Sequence, residues 1–213
     1  MGSLIARVRR RLGARGSQSP IETVMCVQGS VTEAEAAALM RLAADVPSDA
    51  CIVEVGSHRG RSTAALALGA KGAPVYAIEP HEEFEGMYGS SFGPADRRAF
   101  FENMLRVGVV EDVRLVNLSS EVVSKGWTRP IGLLWIDGDH TFEAVRRDFE
   151  AWQPFLRPGA VVAFHDALDP DGGPAKVIEG LLADSFEQVA AAERLVALRR
   201  KGEPAAAEPG RQP

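Results

Sequence analysis

The stretch Ile131-Gly132-Leu133-Leu134-Trp135-Ile136-Asp137-Gly138-Asp139-His140 decides the fold. Its apolar run is short, unbroken and rich in large side chains, as expected of a strand covered on both faces. It stops on carboxylates and an imidazole. A second run, Ala160-Val161-Val162-Ala163-Phe164, stops in the same way on His165-Asp166. Buried strands that deliver such groups at their ends are expected at the carboxyl edge of an open α/β sheet, where ligands bind. If the two strands are neighbours, Asp137, His165 and Asp166 supply the oxygen and nitrogen donors that a hard or borderline divalent metal needs. The plainer reading makes each a polar residue where a strand meets water. It weakens because both strand ends behave alike and both lead into segments marked by Gly or Pro.

Outward from this pair the chain alternates strands and helices. Thr32-Glu33-Ala34-Glu35 opens a helix running to about Ala44, with Thr32 as cap and Glu35 at the third position. Cys51 to Val55 reads as a first buried strand, followed by the turn Gly56-Ser57-His58-Arg59-Gly60 and a helix from about Ser62 to Leu68. Val75 to Ile78 is a second strand, ending at Glu79. This order predicts an α/β fold with a doubly wound, mostly parallel, Rossmann-like sheet. Between Pro80 and Arg98 no period of two or 3.6 survives, so the segment is expected to be a working lid, with Met87, Tyr88 and Phe92 facing a ligand. A helix from Ala99 to Val107, a strand from Val113 to Val116 and a short helix near Ser120 to Lys125 follow, then a helix from Thr141 to Trp152. Arg157-Pro158-Gly159 reads as a turn. A helix from Pro174 to Ala183 and two partly antiparallel strands, Phe186 to Val189 and Leu195 to Leu198, complete one domain spanning 21–200.

The chain has 213 residues and a formal charge of -5, which disfavours a nucleic-acid partner. Arg7, Arg9, Arg10, Arg11 and Arg15 give the first 20 residues a basic character, and with few apolar anchors this reads as a flexible arm. Residues 201–213, rich in Ala, Glu and Pro, read as a disordered tail. No apolar segment suits a bilayer, no leader pattern follows the arginines, and two isolated cysteines fit a cytoplasmic setting.

The turn after the first strand carries Gly56 and Gly60 but lacks the fuller glycine pattern that seats a pyrophosphate. A nucleotide cofactor without pyrophosphate fits it better than NAD. Glu79 is placed to accept both hydroxyls of a ribose.

With these residues the chain resembles the class I S-adenosylmethionine (SAM)-dependent methyltransferases, and among them the small metal-dependent O-methyltransferases. The shared pieces are Asp137-Gly138-Asp139-His140-Thr141-Phe142-Glu143, Asp148, Pro158-Gly159 and His165-Asp166. The resemblance implies that Glu54, Gly56, Ser57 and Ser62 hold the amino-acid part of SAM, that Glu79 binds its ribose and that Ser119 lies by its adenine. It further implies that Asp137, His165 and Asp166 hold the metal beside the cofactor. Relatives carry Asp-Asn or two acids where His165-Asp166 stands, so the nitrogen donor leaves manganese or zinc open beside magnesium. Asp148 and Glu150 are expected to be solvated or paired with Arg146 and Arg147.

His140 lies three residues beyond Asp137, and its unperturbed pKa near 6.5 suits a general base; the matching histidine of the macrolide-sugar methyltransferases has that role. The histidine-bearing motif and the short chain favour a sugar or oligosaccharide hydroxyl, as in the sugar O-methyltransferases of mycobacterial polysaccharide synthesis. Phenol or catechol O-methylation is the alternative, and a non-catalytic metal- or carbohydrate-binding module is the alternative of another class. Met, Phe and Tyr of the lid and amino-terminal helix predict a homodimer.

Overall fold

The computed structural model describes residues 18–85 and 91–201. The basic arginines, Met87 and Tyr88 of the lid and nearly all of the carboxyl tail lie outside those residues.

Two short capped helices come first: α1 (Pro20–Met25) and α2 (Glu33–Ala44). Each begins with a reciprocal box, Ser19 with Glu22 and Thr32 with Glu35. Such a box satisfies two orphan amides and is worth about 1 kcal/mol. The sheet and its crossovers follow as β1 (Cys51–Val55), α3 (Arg61–Gly69), β2 (Val75–Ile78), β3 (Phe84–Glu85), β4 (Ser91–Phe92), α4 (Pro94–Val107) and β5 (Val113–Val116). The carboxyl half adds α5 (Ser120–Ser124), β6 (Ile131–Ile136), α6 (Phe142–Trp152), β7 (Leu156–Phe164), α7 (Gly173–Asp184), β8 (Phe186–Ala192) and β9 (Leu195–Arg200). Seven strands lie in the order β5-β2-β1-β6-β7-β9-β8, with β9 antiparallel to its neighbours. This is a mostly parallel, Rossmann-like arrangement, as the order of strands and helices in the sequence predicts.

Alternation divides the core. Ile52, Leu133, Trp135 and Ala163 pack with α1 to α4 on one face. Val53, Leu134, Ile136, Val162 and Phe164 pack with α6 and α7 on the other. Both faces are covered, which is why these strands read as continuous apolar runs. No helix among the described residues is long and apolar enough to cross a membrane.

Register matters most for the site. Val55 pairs with Ile78 on one side and Ile136 on the other, and Ile136 pairs with Phe164. The ladder then runs one rung further: Gly56 N donates to Ile78 O at 3.0 Å, Asp137 N to Val55 O at 2.8 Å and His165 N to Ile136 O at 3.1 Å. Gly56, Glu79, Asp137 and His165 therefore sit side by side at one edge.

Three local readings are corrected. The lid segment contains regular structure: β3 pairs with β4 as a small hairpin. Helix α4 begins at Pro94 rather than Ala99, with Pro at its start and Asp96 accepting from Gly93 N at 2.9 Å. Arg157-Pro158-Gly159 lies inside β7, where the register with β6 shifts, instead of forming a turn before it.

Candidate functional site

A cavity of about 750 Å³ opens at the carboxyl edge of the sheet, large enough for a nucleoside-sized ligand and a second small molecule. Gly56, Ser57, Ser62, Glu79, Ser119, Asp137 and His140 all line it. Gly56 has φ of +87°, and a Cβ there would lie 2.2 Å from the carbonyl oxygen of Asp137. Only glycine lets the two loops approach so closely.

Glu54 lies beneath the turn, fully buried, and accepts from the hydroxyl of Thr63. Burial raises its carboxyl to about 8; hydrogen bonds from Ser62 and Thr63 oppose the shift, and the charges of Asp137 and Glu79 reinforce it. Its Oε1 and the Oγ of Ser57 are buried without a partner. Unsatisfied atoms of this kind are rare in folded proteins and fit a ligand carrying an ammonium or carboxylate group. Glu79 is held the other way, by backbone: its two oxygens accept from His58 N at 3.1 Å and His81 N at 3.2 Å. Asn117 buttresses the strand end, its Nδ2 donating to Glu79 O at 2.7 Å.

Asp137, His140 and His165 form the metal-compatible group, with one donor atom from each within 4.8 Å of the others. His165 Nδ1 is 2.9 Å from Asp137 Oδ1, and His140 Nε2 is 3.3 Å from the same oxygen. Asp166 stands behind this group. Its oxygens meet His140 Nδ1 at 2.9 Å and Arg194 Nη1 at 2.7 Å, and its backbone has φ of +48°. The sequence-based metal trio was Asp137, His165 and Asp166; the converging trio has His140 in place of Asp166.

The electrostatics follow from this packing. Burial opposes charge on His140, but its hydrogen bonds to Asp137 and Asp166 outweigh that and raise its pKa to about 9. His165 is likewise pushed up to about 10 against its burial, by Asp137, Glu35 and Asp166. The hydrogen bond from His140 leads the causes that hold Asp166 down to about 2. The expectation of an unperturbed imidazole at position 140 is thereby corrected: two carboxylates grip it.

Sequence reasoning missed several contributors. Asp148, expected to be solvated or paired with Arg146 and Arg147, is buried and lines the cavity, and burial raises its carboxyl against a hydrogen bond from Ser120. Glu150 pairs with Arg146 as expected, and Arg146 also holds Glu143, both at 2.9 Å. Arg59 links the turn after β1 to α4, its Nε lying 2.6 Å from Asp96 Oδ1. Phe84 was also missed; it lies beside Phe92, which was expected at the ligand, with ring centroids 6.0 Å apart, and the two bring the hairpin to the cavity mouth. The acids Glu35 and Asp96 each had a capping signature that the sequence displays; Arg194, in the β8–β9 turn, has no signature.

Comparison with known proteins agrees with this geometry. A family model described as a methyltransferase domain matches residues 53–167, more than half of the chain. The uncharacterized protein y4gI of Sinorhizobium fredii is 31% identical over 126 residues, a match covering 54% of this chain and only 13% of that protein. Among solved structures, cofactor-bound Rv0187 from MTB aligns with TM-score 0.66 and 16% identity over 92% of this chain and 96% of its own. An O-methyltransferase from Bacillus cereus in complex with SAH gives 0.62 and 17%, covering 92% and 97%. The O-methyltransferase TomG from Streptomyces achromogenes, involved in tomaymycin synthesis and in complex with SAM, gives 0.61 and 16%, covering 92% and 96%.

Proposed function

The chain belongs to the methyltransferase-domain family, and from that premise we propose that it transfers a methyl group from SAM to a hydroxyl oxygen with the help of a divalent metal. The observation that carries this reading is the shared edge: Gly56, Glu79, Asp137 and His140 line one cavity, with His165 buried against Asp137 just beneath it. SAM supplies an already activated methyl group, and a divalent ion supplies charge that favours ionisation of the acceptor oxygen. The protein's own task is then alignment and management of one proton.

Glu54 and Ser57, with their unpartnered oxygens, suit the amino-acid end of SAM, and Ser62 holds Glu54 in place. Glu79, fixed by two amides, presents its carboxylate to the ribose, and Ser119 lies beyond it toward the base. Asp137 and His165 hold the ion, with Asp166 or His140 as the third donor. The His165 imidazole among the donors suits Mn²⁺ or Zn²⁺ as well as Mg²⁺.

His140 is the proton acceptor. Asp166 orients its Nδ1, which leaves Nε2 facing Asp137 and the cavity. A phenol, with an ordinary pKa near ~10, gives up its proton to an imidazole far more readily than an aliphatic alcohol does. A sugar hydroxyl is far less acidic. The rings of Phe84 and Phe92 at the mouth also suit a flat acceptor, so a phenol or catechol is preferred to a sugar.

The test is a mass-spectrometric screen for the gain of one methylene, using SAM, each of the three metals, catechols and mono- and oligosaccharides. Methylated catechols with inert sugars support the proposal, and the reverse moves the acceptor to sugars. Full turnover in EDTA removes the metal, whereas no product anywhere leaves a binding module. His140→Ala should lower turnover roughly 10²–10⁴-fold with metal affinity retained; lost metal affinity would make His140 a ligand instead.

A further inference from the structure

Glu35 makes contacts that a helix cap does not require. In a capping box the carboxylate reaches back to one amide at the helix start and otherwise faces water. Here Glu35 Oε2 accepts from Thr32 N at 2.8 Å in that ordinary way, yet the side chain is fully buried. Its Oε1 accepts from Arg194 N at 2.9 Å, and Arg194 Nε lies 3.6 Å away. Its Oε2 also lies 3.4 Å from His165 Nε2. Taking a carboxylate out of water costs several kcal/mol unless its oxygens are well partnered, and a cap alone offers far less.

His165 is the other half of the arrangement. Strand alternation turns its side chain to the same face as Trp135, toward α2, where the two rings meet edge to face at 5.7 Å. The ring is 1% exposed, so neither nitrogen can turn to water. Nε2 faces Glu35 and Nδ1 faces Asp137 at 2.9 Å. An imidazole that ligates through one nitrogen carries its proton on the other, and a carboxylate receiving that proton fixes both tautomer and ring orientation.

We propose that Glu35 is a positioning residue for the metal site: it holds the Nε2–H of His165 and so presents Nδ1 to the ion beside Asp137. This rests on the reading of His165 as a metal ligand. It gives the amino-terminal helix a function in the site, through a carboxylate that also ties down the β8–β9 turn at Arg194.

The experiment is calorimetric titration of the chelator-treated full chain with Zn²⁺ alone, without SAM or acceptor. Glu35→Gln keeps the shape and removes the charge, and should weaken Zn²⁺ binding roughly 10–100-fold. Thr32→Ala loosens the same cap but leaves the carboxylate, and should bind Zn²⁺ like the parent. Equal weakening in both variants would reduce Glu35 to a cap and overturn the proposal, as would unchanged affinity in Glu35→Gln. Absence of Zn²⁺ binding by the parent chain would instead overturn the metal reading, and this inference with it. A measurement on the unsubstituted protein guards against misfolded variants. With four histidines in the chain, nitrogen-15 ring spectra of the Zn²⁺-loaded protein should show the His165 proton on Nε2. A proton on Nδ1 would refute the assignment.

Discussion

Gly56→Ala is the substitution whose effect follows most directly from the coordinates. The new Cβ would lie 2.2 Å from Asp137 O and 2.7 Å from Gly138 Cα, whereas ordinary contact begins at 3.4 Å. Both obstacles are backbone, so the Asp137 loop must retreat by about 1 Å. The residue would also be held at φ of +87°, which costs an L-residue roughly 1–2 kcal/mol, and forced overpacking adds roughly 1–3 kcal/mol. The sum, about 2–5 kcal/mol, should lower Tm by roughly 4–20 °C in a domain of this size. A displacement of about 1 Å at Asp137 should also cut turnover roughly 10²-fold. Gly180→Ala serves as the opposite control. Its Cβ meets nothing within 4 Å in the middle of α7, so it should stabilise by roughly 0.5–1 kcal/mol. Scanning calorimetry on both variants decides the matter: a Gly56→Ala protein that melts and binds Zn²⁺ like the parent would refute the argument that this glycine makes room for the Asp137 loop.

Glu79→Ala should weaken SAM binding by about 1–3 kcal/mol, the worth of two hydroxyl contacts; calorimetry showing equal affinity for SAM and its demethylated product in variant and parent would reject the ribose assignment. His140 and His165 have folded-state pKa values of about 9 and 10, above the ordinary 6.5. The native state therefore binds more protons than the unfolded chain between these limits, and the metal-free protein should melt at progressively lower temperature as pH rises from neutrality through 10. Glu54, raised to about 8 from 4.5, adds a loss of the same sign over its own window, which Glu54→Gln should remove. A Tm that is flat from pH 7 to about 10 would contradict the ion-pair cluster.

The sheet was legible because its strands are covered on both sides and so advertise themselves as uninterrupted apolar runs. Cys51–Val55, Val75–Ile78 and Ile131–Ile136 were read with their observed bounds. Their ends pointed to the site because register, once set, leaves the next residue little choice. The start of α4 was placed too late: Pro94, left within the lid, is its first residue, where a missing N–H is harmless. Asp148 was expected to be solvated or ion-paired because arginines and acids surround it in sequence, yet its position on α6 turns it inward beside Val145 and Phe149. Glu35 was recognised as a cap, but nothing local reveals that a capping carboxylate lies under a strand end 130 residues away. Arg194 carries no motif, since a hairpin turn demands backbone conformation rather than side-chain type. The missed contributors are those whose partners come from distant segments.

The level ends of β2, β1, β6 and β7 separate two kinds of heritable change. Gly56, Glu79, Asp137 and His165 take their places from hydrogen-bonded register, so the proposed cofactor and metal ends inherit the stiffness of the sheet. The β3–β4 hairpin and the loop between α1 and α2 line the same cavity without belonging to that ladder. Sequence drift there can reshape what enters while the donors stay still, so selection for a new acceptor can proceed loop by loop on an unchanged reaction centre.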